Sequence, residues 1–146
     1  MKRIIENESR VSFPALSRNE AFARSAAAAF VLQSDPTVEQ IAAVKTAVSE
    51  AVTNAIVHGY RNTRGTVELI LRLYSDDRLY IAVKDKGSGI ADVSQAMQPM
   101  FSTAPAEEER SGLGFTVMES FMDRVRVKSR PGSGTTVIME KQLDKR

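Results

Sequence analysis

The spacing of apolar residues changes several times along the chain, and each change predicts an element. In "RVSFPAL", Val11, Phe13 and Ala15 alternate with other residues, which predicts a short opening strand. "SRNE", Ser17 to Glu20, has capping-box form, a serine N-cap with a glutamate three residues on, and predicts a helix reaching about Gln33. "SDPT" breaks that helix. A second begins near Thr37, with Gln40 in the reciprocal capping position, and carries Ile41, Val44, Val48, Ala51, Val52 and Ala55 on one face. Gly59 ends it.

The period then falls to two. "GTVELILRLY" and "RLYIAVKD" read as strands joined by the polar turn "SDD". Val67, Leu69, Leu71 and Leu73 share one face, and Leu79, Ile81 and Val83 share one on the partner. Continuing the second alternation turns Asp85 inward, so a carboxylate stands where core is expected, at the mouth of a strand. From Ala91 to Ser111 the periodicity fades and Pro99, Pro105 and the run "EEE" collect, which predicts a short helix followed by a mobile loop. "GLGFTVMESFM" restores helical spacing through Phe115, Met118, Phe121 and Met122. "RVRVKS" and "TTVIMEKQL" then form a closing hairpin around "RPGSG". Helices interleaved with antiparallel hairpins predict an α+β fold, one mixed, mostly antiparallel sheet with helices packed on one face.

Composition narrows the class. The 146 residues fit a single domain, 1–146, large enough to bury a core without disulfides or metal. The absence of cysteine excludes a disulfide framework and a thiolate metal site, and suits a reducing, cytoplasmic setting. The longest apolar run, "AAAAFVL", is too short to cross a bilayer, and "MKRIIENESR" lacks the apolar segment of a signal peptide, so no membrane role is expected. A net charge of +2 is mildly basic, but Lys and Arg are scattered and aromatics few, which argues against direct nucleic-acid binding.

Four stretches carry candidate chemistry. On the second helix, Glu50, Asn54 and His58 recur every four residues; at about 100° per residue they form a slowly turning stripe that can open into one cleft. A solvated helix face would read similarly, although Lys or Arg would serve it better. "DKGSGI", Asp85 to Ile90, is a D-x-G-x-G pattern after a strand; Gly87 and Gly89 let the backbone approach a flat ligand, and Asp85 offers a strong acceptor to an amino group. A plain glycine turn is the alternative. "RSGLGF" places Gly112 and Gly114 at a helix start, where free amides suit phosphate and Arg110 and Ser111 add a charge and a hydroxyl; it has neither Walker nor Rossmann spacing. In "GTT", Thr135 shares parity with Val137 and Met139, so its hydroxyl can face inward beside Asp85, as any β-branched strand residue also would.

Together, these stretches resemble the ATP-binding module shared by DNA gyrase, Hsp90, histidine kinases and MutL. "EAVTNAIVHG" is similar to its N box, "DKGSGI" and "RSGLGF" to its two glycine boxes, and "GTT" to its last adenine contact. The resemblance implies the Bergerat fold, a two-layer α/β sandwich. A closer resemblance is to the anti-sigma F family, serine-protein kinases of spore-forming bacteria, through "AFARSAAAAFV", "LQSDPT", "VSEAVTNAIVHGY", "QPMFSTAPAEEERSGLGFTVMESFMD" and "GTTV". It implies a homodimer that binds ATP and Mg²⁺ in each subunit, inhibits the sporulation sigma factor F, and phosphorylates an anti-anti-sigma factor on serine.

The same resemblance implies roles for single residues. Asp85 accepts the adenine amino group and Thr135 supports that edge; Gly87 and Gly89 shape the turn beneath it. Asn54 supplies an oxygen to Mg²⁺. Gly112 and Gly114, with Ser111 and Arg110, hold the phosphates, while Glu50 receives or positions the proton of the attacking serine. Arg24 contacts partner proteins. Where the family pattern has a lysine this chain has Ala104, and the acidic stretch after Pro105 is one residue longer, which implies a less positive lid. A related switch kinase acting on a general-stress sigma factor, or an ATP-gated binding module with little phosphotransfer, remains the alternative. A histidine-kinase catalytic half is disfavoured because the only histidine, His58, lies on the nucleotide helix.

Overall fold

The computed structural model describes residues 3–60, 65–87, 97 and 114–144. The Thr37 capping box forms as its spacing predicts: the Gln40 amide donates to Thr37 Oγ1 at 3.1 Å and the Thr37 amide to Gln40 Oε1 at 3.2 Å. It opens helix α2, Val38–Asn54. Helix α1, Asn19–Val31, begins differently, since no side chain caps it and Ser17 lies in the turn before it. Glu20 instead accepts the Ser49 hydroxyl of α2 and pairs with Arg24 at 3.7 Å, so a contact between helices outcompetes the local cap. A 3₁₀ turn, Leu32–Ser34, continues α1, and Asp35, at a φ of 48°, stops it before Pro36.

Five strands form the sheet among the described residues: β1 (Ile5–Pro14), β2 (Thr66–Tyr74), β3 (Arg78–Asp85), β4 (Arg124–Arg130) and β5 (Gly134–Gln142), in the order β1-β2-β3-β5-β4. Every described pairing is antiparallel, so the expected mixed sheet is antiparallel throughout this part. β1 begins six residues before the alternating segment at Val11. It is an edge strand whose first half leaves its side chains mostly in water, so pairing with β2 does not require an apolar period there.

The period-two faces are as read. Val67, Leu69, Leu71 and Leu73 of β2 and Leu79, Ile81 and Val83 of β3 are buried. They meet Val44, Val48, Val52 and Ala55 from α2 and its continuation, Ala23, Ala27 and Val31 from α1, and Phe115 and Met118 from helix α3, Gly114–Phe121, in one core. Each large apolar side chain buried there contributes about 1.5–3 kcal/mol relative to exposure. The helices thus pack on one face, a two-layer α+β arrangement. The other face holds a smaller cluster of Ile70, Ala82 and Ile138 beside Tyr80, whose ring lies 4.8 Å from the Arg72 guanidinium carbon. Of the stretch predicted as a short helix and loop, only Met97 is described, and it packs against the main core.

Candidate functional site

Past Asn54 the helix changes its hydrogen-bonding. Residues Ala55–Gly59 form a π turn, closed by the Tyr60 amide reaching back five residues to the Ala55 carbonyl at 3.2 Å. A turn of this kind inserts one extra residue, and such bulges concentrate at functional sites. The stripe therefore keeps its α-helical spacing from Glu50 to Asn54 and loses it before His58. All three side chains are half-buried.

The extra residue delivers Gly59 to the end of β3. A Cβ on Gly59 would lie 2.9 Å from the Asp85 carboxyl carbon, so the helix backbone rests against that carboxylate. Gly87 closes the same junction, where a Cβ would fall 1.9 Å from the Gly59 carbonyl oxygen. Only a residue without a side chain fits there. Gly87 is thus a glycine turn at the end of β3, and what its backbone closely approaches is the Gly59 carbonyl of the π turn.

Asp85 is 8% exposed, one of three buried polar residues among those described, and its Oδ1 accepts the Gly87 amide at 2.9 Å. Burial pushes its carboxyl above the ordinary carboxylate range, while the amides of Gly87 and Thr135 pull the other way. Thr135 is its cross-strand partner on β5 and is likewise buried. The reading of Asp85 and Thr135 as inward neighbours is thus correct. Gly134 precedes Thr135 at a φ of +87°, and a Cβ there would sit 2.1 Å from the Asp85 carbonyl oxygen, so β5 can enter beside Asp85 only through a glycine.

At the other end of the stripe, the first residue of α3 meets Glu50. A Cβ on Gly114 would stand 3.5 Å from Glu50 Oε2, an ordinary van der Waals contact and the nearest one among the described residues. Glycine is sterically required at position 87 and optional at 114. We expect Gly87→Ala to lose about 1–3 kcal/mol in thermal denaturation and Gly114→Ala to stay within about 0.5 kcal/mol of the parent. A Gly87→Ala melt that overlays the parent would refute this packing.

The strip from the start of α3 along α2 and its π turn to the mouths of β3 and β5 thus has contacts at its two ends, Gly114 with Glu50 at one and Gly59 and Gly87 with Asp85, beside Thr135, at the other, while Asn54 lies on α2 between them in sequence. Arg24 stands apart on α1, half-exposed, tied through Glu20 to Ser49 beside Glu50 in sequence. Gly89, Arg110, Ser111, Gly112, Ala104 and the acidic stretch after Pro105 lie outside the described residues.

Two site features escaped sequence reasoning. The Tyr60 hydroxyl donates to the Thr66 carbonyl at 2.7 Å and accepts the Lys86 amide at 2.8 Å, anchoring the chain just after Asp85. Ser129 of β4 sits opposite Thr135, with their hydroxyl oxygens 2.8 Å apart. The hairpin parity around "RPGSG" would have placed Ser129 opposite Thr135 had the turn length been known. Nothing local marks Tyr60.

Known proteins resemble this chain in sequence and in fold. A family model described as "Histidine kinase-like ATPase domain" matches residues 13–141. The anti-sigma F factor of Geobacillus sp. (strain WCH70) is 50% identical over 97% of this chain and 96% of its own length. That of Bacillus subtilis (strain 168) is 49% identical over 97% and 96%. Among solved structures, the RsbU and RsbW domains of a Mycobacterium tuberculosis protein superpose with a TM-score of 0.70 at 19% identity, covering 96% of this chain and 33% of that one. The mycobacterial sensor histidine kinase MprB superposes at 0.59 with 14% identity, covering 96% and 100%. At such identities the structures speak for the fold, whereas the sequence matches extend through the whole site, and on them the chain belongs to the anti-sigma F factor family of histidine kinase-like ATPases.

Proposed function

We propose that this protein is an anti-sigma factor that binds and inhibits the sporulation sigma factor F, and a serine kinase that phosphorylates the corresponding anti-anti-sigma factor with ATP. The observation that carries this reading is the junction at the π turn, where α2, bearing Glu50 and Asn54, abuts the buried Asp85 through Gly59 and Gly87. One nucleotide laid along that strip meets an acceptor for its base at one end and an acid beside a helix start at the other.

In this reading Asp85 accepts the adenine amino group, Thr135 supports the same edge, and the backbone at Gly87 and Gly89 forms the floor. The start of α3 at Gly114, with Gly112, Ser111 and Arg110, holds the phosphates, because a helix N-terminus presents free amides and a positive dipole end. Asn54 fits a Mg²⁺ ion: its amide oxygen is a hard donor, half-exposed on the strip, and that ion takes most of its shell from phosphate and water rather than from a protein cage. When bound, the ion neutralises charge on the phosphates.

Glu50 accepts the proton of the partner's serine hydroxyl as its oxygen forms a bond to the γ-phosphorus. The bond from that phosphorus to the bridging oxygen breaks, and ADP keeps the electron pair. Much of the rate comes from alignment, which fits Glu50 and Asn54 standing one turn apart on α2. Arg24 contacts the protein partners. The chain acts as one domain, 1–146, in a cytoplasmic homodimer, without touching nucleic acid or membrane; no helix among the described residues is long and apolar enough to cross one.

Incubating the protein with γ-labelled ATP and candidate anti-anti-sigma factors, then mapping the label, tests the activity. Label on one serine of the partner is expected. A partner that stays unlabelled while ATP and the sigma factor both bind would leave a nucleotide-gated clamp in place of a kinase.

A further inference from the structure

The hydroxyls beside Asp85 obey a proton count. Ser129 Oγ lies 3.0 Å from the Gly134 carbonyl oxygen and 2.8 Å from Thr135 Oγ1. A carbonyl only accepts, so the single Ser129 proton goes to Gly134. The Ser129–Thr135 bond must then be donated by Thr135. Its proton committed, the Thr135 hydroxyl has only lone pairs to offer any further partner. Asp85, its cross-strand neighbour, is an acceptor when ionised, and already takes the Gly87 amide.

We infer that Ser129 is a positioning residue for base specificity: by holding Thr135 as an acceptor, it gives the buried pocket edge one polarity and selects 6-amino over 6-oxo purines. A 6-amino group donates to such an edge. A 6-oxo group faces it with lone pairs against lone pairs and leaves buried acceptors unsatisfied, the kind of mismatch that discriminates most strongly. The inference rests on the proposed placement of the base between Asp85 and Thr135 and goes beyond it, since Ser129 stands behind Thr135 rather than against the ligand.

The experiment measures equilibrium affinities for ATP and GTP by calorimetry in the parent, Ser129→Ala, Ser129→Thr, Thr135→Val and the Ser129→Ala/Thr135→Val double variant, with a thermal melt of each. Loss of the Ser129 hydroxyl frees the Thr135 proton to point at the base, so Ser129→Ala is expected to cut the ATP-over-GTP preference by about tenfold. Ser129→Thr, which keeps a hydroxyl, should restore it. In the Thr135→Val background Ser129→Ala should change the preference no further, because its effect passes through the missing hydroxyl. A purely structural serine would weaken both nucleotides alike and leave their ratio unchanged, and that result overturns the inference. So does an equal loss of preference with and without Thr135, a comparison that stands even if one single variant melts early. If the parent binds neither nucleotide, the placement of the base fails and the inference with it; if the parent prefers ATP and Ser129→Ala keeps that preference, only the role of Ser129 fails.

Discussion

Glu50→Gln is expected to abolish phosphotransfer while ATP stays bound. The two side chains have the same shape, so the contact with the start of α3 at Gly114 survives. What goes is the capacity to take a proton, and removing a general base typically costs about 10²–10⁴-fold in rate. Glu50 is half-buried on the fourth turn of a helix capped by Thr37 and Gln40 and packed on the sheet, so its backbone position is independent of the substitution. The check pairs single-turnover phosphoserine formation with a separate ATP titration. A rate within a few-fold of the parent would remove Glu50 from the mechanism, and a parallel fall in ATP affinity would recast it as a binding residue.

Asp85→Asn should separate stability from recognition in the opposite sense. The oxygen of the substituted side chain can still accept the Gly87 amide, but its NH₂ group opposes the adenine amino group donor to donor. Losing a charge-assisted bond and gaining that mismatch lowers ATP affinity by about ten- to a hundredfold. Stability should hold or rise. Burial raises the Asp85 pKa, which means folding favours its neutral form. The neutral form's stabilising contribution is complete below the ordinary aspartate pKa of about 3.9 and is lost as pH rises through the raised folded-state value. The variant has no such loss. Its melting temperature relative to the parent should therefore climb from acid toward neutral pH and then level off. A variant less stable at neutral than at acid pH, relative to the parent, would show that the amides of Gly87 and Thr135 outweigh burial.

The second prediction depends on a residue whose inward placement was legible in the sequence. Asp85 followed from parity alone: once Leu79, Ile81 and Val83 define a face, the next odd position shares it. Thr135 followed in the same way from Val137 and Met139. Ser17 did not behave as its motif predicts, because Glu20 had a competing partner in Ser49, 29 residues further on, and a local rule has no access to that separation. The first half of β1 was invisible for a related reason, as an edge strand in water needs backbone pairing with β2 and little else.

Periodicity, caps and turn residues are short-range properties, and from them the order of the described elements, the inward faces of β2 and β3, the α2 cap and the inward placement of Asp85 and Thr135 could be read directly. Tertiary structure alone decided how those residues meet. The backbone contact of Gly59 with Asp85 and Gly87 and the approach of Gly114 to Glu50 join segments whose separation in sequence carries no period. Such contacts exist because packing the helices on the sheet brings chain ends together in space, and no propensity of a single segment encodes where another will arrive.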